Sequence, residues 1–140
     1  MTQAKKSDYQ HSAADDLLGA ARTAAEWSYS PYSRFKVGAA VLAGGKRYFG
    51  TNVENASYSL TMCAERAAIF AAISDGKRSI EAIAIACLDV SPSDSTNQRF
   101  PCDACRQVLL EFAAPDTPVL IEGWGTTTVG DLCPLPFRLK

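Results

Sequence analysis

The chain is nearly without histidine: His11 is the only one among its 140 residues, and it stands in a polar N-terminal segment expected to be exposed. That scarcity excludes a histidine-rich metal site, a Ser-His-Asp triad and a Cys-His pair, the commoner routes to hydrolysis. Charge excess is missing too. A formal net charge of -1 provides no electrostatic footprint for a nucleic-acid backbone or an anionic membrane, so neither is expected as a partner. No apolar run approaches the roughly 20 residues needed to span a bilayer, and Met1 to Asp8 lacks a secretory apolar segment. A cytoplasmic, reducing location is the expectation. Five cysteines, an odd number spaced unlike a disulfide scaffold, then read as free thiols or metal thiolates.

What is present suits one folded unit. With 47% apolar and 21% charged residues, residues 1–140 are expected to form a single domain with a real core. Residues 12–28 read as an amphipathic helix with Leu17, Leu18, Ala21, Ala24, Ala25 and Trp27 in its apolar stripe. Pro31 disfavours helix at Ser30 and ends that pattern. Val37 to Leu42 reads as a buried strand, Ala43-Gly44-Gly45-Lys46 as a turn, and Arg47 to Val53 as a second strand, together a hairpin. Cys63 to Ile73 turns helical and stops at Asp75-Gly76. Ala82 to Leu88 is a continuous apolar strand covered on both faces. A turn-rich stretch runs from Asp89 to Phe100. Cys102 to Phe112 is a further helix, Val119 to Glu122 a short strand, and Thr126 to Val129 another. The expected class is α/β: a three-layer αβα arrangement with a mixed sheet of about five strands.

The chemistry gathers at two helix starts. Cys63-Ala64-Glu65-Arg66 opens one helix, and Pro101-Cys102-Asp103-Ala104-Cys105-Arg106 opens the other. Free backbone N–H groups and the helix dipole favour thiolate over thiol there. Three thiolates leave one vertex of a Zn2+ tetrahedron open, as a hydrolytic centre requires. The formal charge of such a centre is -1, so donors to the sulfurs are needed; Arg66, Arg106 and backbone N–H groups are the candidates. A closed structural zinc site is the alternative, but it needs a fourth ligand. Cys87 reads as core and Cys133 as packed near the C-terminus. Glu65 stands two residues beyond Cys63. It is either a first-turn glutamate favoured by the dipole or a carboxylate held at the open vertex, able to move protons between water, a ring nitrogen and a leaving amine.

These motifs resemble those of the cytidine deaminase superfamily. Tyr29-Ser30-Pro31-Tyr32-Ser33, Phe35, Val37-Gly38-Ala39-Ala40 and Asn52-Val53-Glu54-Asn55-Ala56-Ser57-Tyr58 narrow the likeness to the small nucleoside deaminases, from about Asp15 to Phe137. The resemblance implies that fold and hydrolysis of cytidine and 2'-deoxycytidine to the uridines plus ammonia, in pyrimidine salvage. It also implies a homotetramer whose active sites are shared between subunits. Carried over by position, Cys63, Cys102 and Cys105 hold zinc and Glu65 shuttles protons. Phe35 packs beside the nucleoside, Asn52 and Glu54 hold the ribose hydroxyls, and the Ala64 backbone contacts the base. Arg66 supports the sulfurs, while Tyr58 and Phe137 reach a neighbour's pocket. Asn52 offers a donor and an acceptor and Glu54 an ionised acceptor, although both could instead cap a turn.

Three departures stand against the resemblance. Asp103 replaces the usual glycine; it either serves the helix start or faces the amino end of the base, where it would alter tolerance for N4-substituted cytidines. Asp89 to Phe100 is several residues longer than usual and is either a surface loop or part of the pocket rim. Cys133 stands where leucine is usual. Competing functions are a deaminase or hydrolase preferring an N4-substituted cytidine, and a nucleoside-binding zinc protein without turnover. An RNA-editing enzyme is disfavoured by the charge balance.

Overall fold

The computed structural model describes residues 16–91 and 97–139; His11, and the start of the helix expected over 12–28, lie outside them. The sheet has five strands: β1 (Val37–Ala43), β2 (Lys46–Thr51), β3 (Ala82–Cys87), β4 (Pro118–Ile121) and β5 (Gly125–Thr128), in the order β2-β1-β3-β4-β5. β1 runs antiparallel to both β2 and β3, β3 and β4 are parallel, and β4 and β5 are antiparallel. The sheet is therefore mixed, as expected. Gly44 and Gly45 take the positive φ values the β1–β2 turn demands.

Strand alternation sorts the core into two layers. Val41, Ile83, Ile85, Cys87, Val119 and Ile121 face the layer that holds α2 (Ala64–Ser74) and α3 (Asp103–Phe112). Ala40, Ala84, Ala86 and Leu120 face α1 (residues 16–25) through Leu17 and Ala21. The α1 face is built of small residues, and this sets its spacing. A Cβ on Gly38 would fall 2.0 Å from the Ala21 carbonyl oxygen, so helix and strand meet backbone to backbone. On the opposite layer Gly50 does the same for α2, with a Cβ position 2.4 Å from the Ala64 oxygen.

Two expectations are corrected. Trp27 is 80% exposed, because α1 ends at residue 25 and the indole follows in a turn instead of continuing the stripe. Val129–Leu132 forms a short helix, α4, capped by the Thr128 side chain accepting from the Asp131 amide, where a strand had been expected to reach Val129. Cys87 is buried in the core, and Cys133 is half-buried against it.

Candidate active site

Cys63 and Cys102 are the N-cap residues of α2 and α3, both with extended backbone, and neither uses its sulfur as a cap. Cys105 follows in the first turn of α3. Both sulfur-bearing helix starts converge, so the Sγ atoms of Cys63, Cys102 and Cys105 all lie within 4.8 Å of one another. Cys63 and Cys102 are 3.8 Å apart, and Cys102 and Cys105 3.5 Å. Sulfurs at two corners of a tetrahedron around zinc, each about 2.3 Å from the ion, stand roughly 3.8 Å apart. The donor set and its spacing fit a thiophilic divalent cation.

The electrostatics make the same demand. The hydrogen bond from Cys105 and, beyond it, the Arg66 guanidinium hold Cys63 well below the usual thiol range, while Cys105 is pushed up by the Cys63 sulfur and by burial. Neighbouring sulfurs cannot all ionise unaided, and a cation removes that conflict. Arg66 donates from Nη2 to the Cys63 sulfur at 3.4 Å, and that bond raises its own pKa. Its Nε is buried with no hydrogen-bond partner among the described residues. Arg106, the second donor expected from sequence, turns away: Nε donates to the Pro101 carbonyl and Nη1 to that of Leu132.

Glu65 is the second residue of α2, two positions after Cys63. It is 6% exposed, and its Oε2 accepts from the Cys105 sulfur at 3.4 Å. Burial pushes its pKa up, with the Cys63 charge adding to the effect. A carboxyl group this deep is costly to keep ionised, even with its own backbone amide and the Cys105 sulfur as hydrogen-bond donors, and such perturbed groups cluster at functional sites.

The cavity above the cluster has a volume of about 560 Å³ and is lined by Phe35, Asn52, Glu54, Cys63, Ala64, Glu65 and Cys102, among others. Backbone bridges bring its outer wall into place. Val53 pairs with Tyr29 on one side and Met62 on the other, so the segment after β2 lies beside the start of α2. The Asn52 side chain is largely consumed there. Its Oδ1 accepts from the Val37 amide and the Ser28 hydroxyl, and its Nδ2 donates to the Phe35 carbonyl at 2.7 Å. The sequence credits Asn52 with a donor and an acceptor for a ligand; the structure leaves one N–H. Glu54 Oε1 accepts from the Tyr32 and Ser33 amides, and the hydrogen bonding of Ser33 holds its carboxyl below the ordinary range.

Other expected site residues lie elsewhere. Asp103 is exposed in the first turn of α3 and does not line the cavity. Tyr58 and Phe137 are 76% and 67% exposed and also stand outside it. Conversely Ser33, Val37, Thr61, Met62, Gln98 and Phe100 line the cavity without having been singled out. For Gln98 and Phe100 the available signal was their nearness in sequence to Cys102; part of the Asp89–Phe100 stretch is therefore pocket wall.

Known proteins resemble this chain closely. The family model of the cytidine and deoxycytidylate deaminase zinc-binding region matches residues 11–121. The cytidine deaminase of Sporosarcina psychrophila is 43% identical over 128 residues, covering 88% of this chain and 90% of that one. The crystal structure of cytidine deaminase from Burkholderia pseudomallei superposes with a TM-score of 0.76 at 42% identity, covering 88% of this chain and 98% of that one. That of the Mycobacterium tuberculosis cytidine deaminase gives 0.77 at 39% identity, covering 89% and 97%.

Proposed function

The chain belongs to the cytidine and deoxycytidylate deaminase zinc-binding family, and on that premise we propose that it hydrolyses cytidine and 2'-deoxycytidine to uridine and 2'-deoxyuridine with release of ammonia. The observation that carries this reading is the buried Glu65 carboxyl beside the three-sulfur cluster, at the floor of a cavity of nucleoside size. Cys63, Cys102 and Cys105 hold the zinc, with Arg66 bearing on the Cys63 sulfur. Bound there, zinc supplies the Lewis acidity that makes a water nucleophilic near neutral pH.

The chain's own groups do the rest. Glu65 takes a proton from the attacking water and gives it to ring N3. A C–O bond forms at C4; Glu65 then carries the second proton to the amino nitrogen as the C–N bond breaks, and ammonia leaves. The Ala64 backbone holds the base and Phe35 packs beside the nucleoside. Glu54 accepts from a ribose hydroxyl and Asn52 donates with its free N–H. A free nucleoside suits the site better than a nucleotide: among the described lining residues none is lysine or arginine, and the ionised Glu54 would repel a phosphate. The assembly in this reading is a homotetramer of single-domain chains, in which Tyr58 and Phe137 complete a neighbouring pocket. No helix among the described residues is long and apolar enough to cross a membrane; a cytoplasmic place in pyrimidine salvage is part of the same proposal.

The test is the loss of ultraviolet absorbance as cytidine becomes uridine, with zinc content measured on the same sample. Glu65→Gln is expected to retain zinc and lose about 10²–10⁴-fold in kcat. Zinc without Glu65-dependent turnover would instead identify a nucleoside-binding protein.

A further inference from the structure

Phe100 lines the cavity two residues before Cys102, so its Cα lies within about 7 Å of that of a cluster residue. Asn52 and Glu54 reach the cavity from the far end of β2 instead. Phe100 therefore stands close to the sulfurs, the end of the cavity where, on the function proposed above, the reacting carbon is held. Its ring is not loose. It packs edge-to-face on Trp124, with centroids 4.9 Å apart at 72°, an arrangement aromatic pairs favour. Trp124 sits in the turn between β4 and β5, and its amide donates to the Ile121 carbonyl at 3.0 Å.

The short 3-10 turn Asn97–Arg99 that delivers Phe100 is fastened to the same place. Arg99 is buried; its Nη1 donates to the Gly123 carbonyl at 3.3 Å and its Nη2 to the Ser91 carbonyl. Gly123 has φ +78, and a Cβ there would lie 3.4 Å from the Arg99 guanidinium. A buried cation pinned to two carbonyls and an aromatic pair thus hold one ring against the reacting end of the cavity. A surface loop needs neither device.

We infer that Phe100, positioned by Trp124, is the wall that limits the size of the amine leaving the pyrimidine ring, and that it selects the bare amino group over N-alkylated ones. This rests on the nucleoside-deaminase function proposed above. It makes Phe100 a specificity residue and Trp124 a positioning residue, neither of which moves protons. The reaction is the same hydrolysis, with methylamine leaving in place of ammonia when the amine carries a methyl group.

The experiment compares kcat/KM for cytidine, N4-methylcytidine, 5-methylcytidine and 2'-deoxycytidine. Phe100→Ala is expected to raise the N4-methylcytidine-to-cytidine ratio about tenfold or more, the scale on which one methyl group is discriminated by an apolar wall. The deoxycytidine-to-cytidine ratio should stay within about twofold, far below that discrimination scale. Trp124→Ala should move the first ratio in the same direction by less, and Trp124→Phe should restore it. If Phe100→Ala does not fold, Phe100→Leu carries the test with an intermediate shift. An unchanged N4 ratio in a folded Phe100 variant overturns the inference, as does a shift confined to the 5-methyl compound or one equalled in the sugar ratio. Absence of turnover by the parent protein on every substrate defeats the deaminase function alone. The wall is then read by calorimetry, from the dissociation constants of cytidine and N4-methylcytidine for the parent and Phe100→Ala. An unchanged ratio there, or no binding of either, overturns the wall as well.

Discussion

Asn52 and Glu54 are separated by one residue, yet their side chains have different obligations. Asn52 ties Phe35, Val37 and Ser28 together through its amide, so removing it leaves backbone groups without partners. Asn52→Ala is expected to cost about 1–3 kcal/mol in stability, measurable by urea denaturation, in addition to weakening substrate binding. Glu54 is held by two amides on Oε1 and should act chiefly on the ligand. Glu54→Gln should raise KM for cytidine about tenfold or more, the usual loss for a hydrogen bond to a charged group, with kcat affected less. Because the Glu54 pKa is lowered, the carboxylate stays ionised through neutral and mildly acidic pH. Its contribution to binding is lost only as pH falls through that lowered value, so KM should rise there in the parent and stay flat in Glu54→Gln.

At the level of elements, the closeness of helix to sheet is set by glycines. Gly50→Ala would drive a Cβ into the backbone of α2 at Ala64 and Ala68. It should cost about 1–3 kcal/mol and, because α2 carries Cys63 and Glu65, lower turnover as well. Gly19 on α1 meets nothing within 4 Å, so Gly19→Ala should raise stability by about 0.5–1 kcal/mol through backbone entropy and leave turnover alone. β2 is also tied to the end of α2, where Tyr48 donates to the Asp75 carboxylate and Lys46 lies 3.2 Å from it. Burial and then Asp75 push the Tyr48 phenol up to about 12. A raised folded pKa means this contribution is whole below the ordinary value of 10 and is lost as pH rises through 12. The melting-temperature gap between the parent and Tyr48→Phe should hold steady to pH 10 and close above it. The elements that were legible in the sequence are those whose pattern is local. Val37–Ala43 and Ala82–Cys87 are uninterrupted apolar runs, and α2 begins at the cysteine its motif marks. What escaped depends on distant partners. The acceptor of Asn52 is taken by a residue 15 positions away, Arg106 finds a carbonyl 26 positions away, and the Phe100 ring packs on the distant Trp124. Four-residue α4 is too short to carry a period.

Across the whole molecule, large apolar side chains stand in water where a lone chain has no use for them. Tyr58, Leu60, Leu135, Phe137 and Leu139 are all more than half exposed, more than isolated surface residues account for. The tail bearing Phe137 is nonetheless held, since Gln107 Nε2 donates to the Phe137 carbonyl at 3.2 Å. A ring presented on an anchored segment, outside its own cavity, suits a neighbour's pocket in the proposed homotetramer. This can be tested by complementation. Glu65→Gln chains have inert sites but supply Phe137; Phe137→Ala chains keep Glu65 but cannot complete their neighbours. If the pockets are shared, co-expressing the two should give assemblies more active than either variant alone, because some Phe137→Ala chains then receive Phe137 from a Glu65→Gln neighbour. Activity equal to the average of the two separate preparations would place Phe137 in a structural role only. Sedimentation of the same samples separates the outcomes, since a Phe137→Ala chain that no longer assembles would lose activity for a different reason and would run as a smaller species.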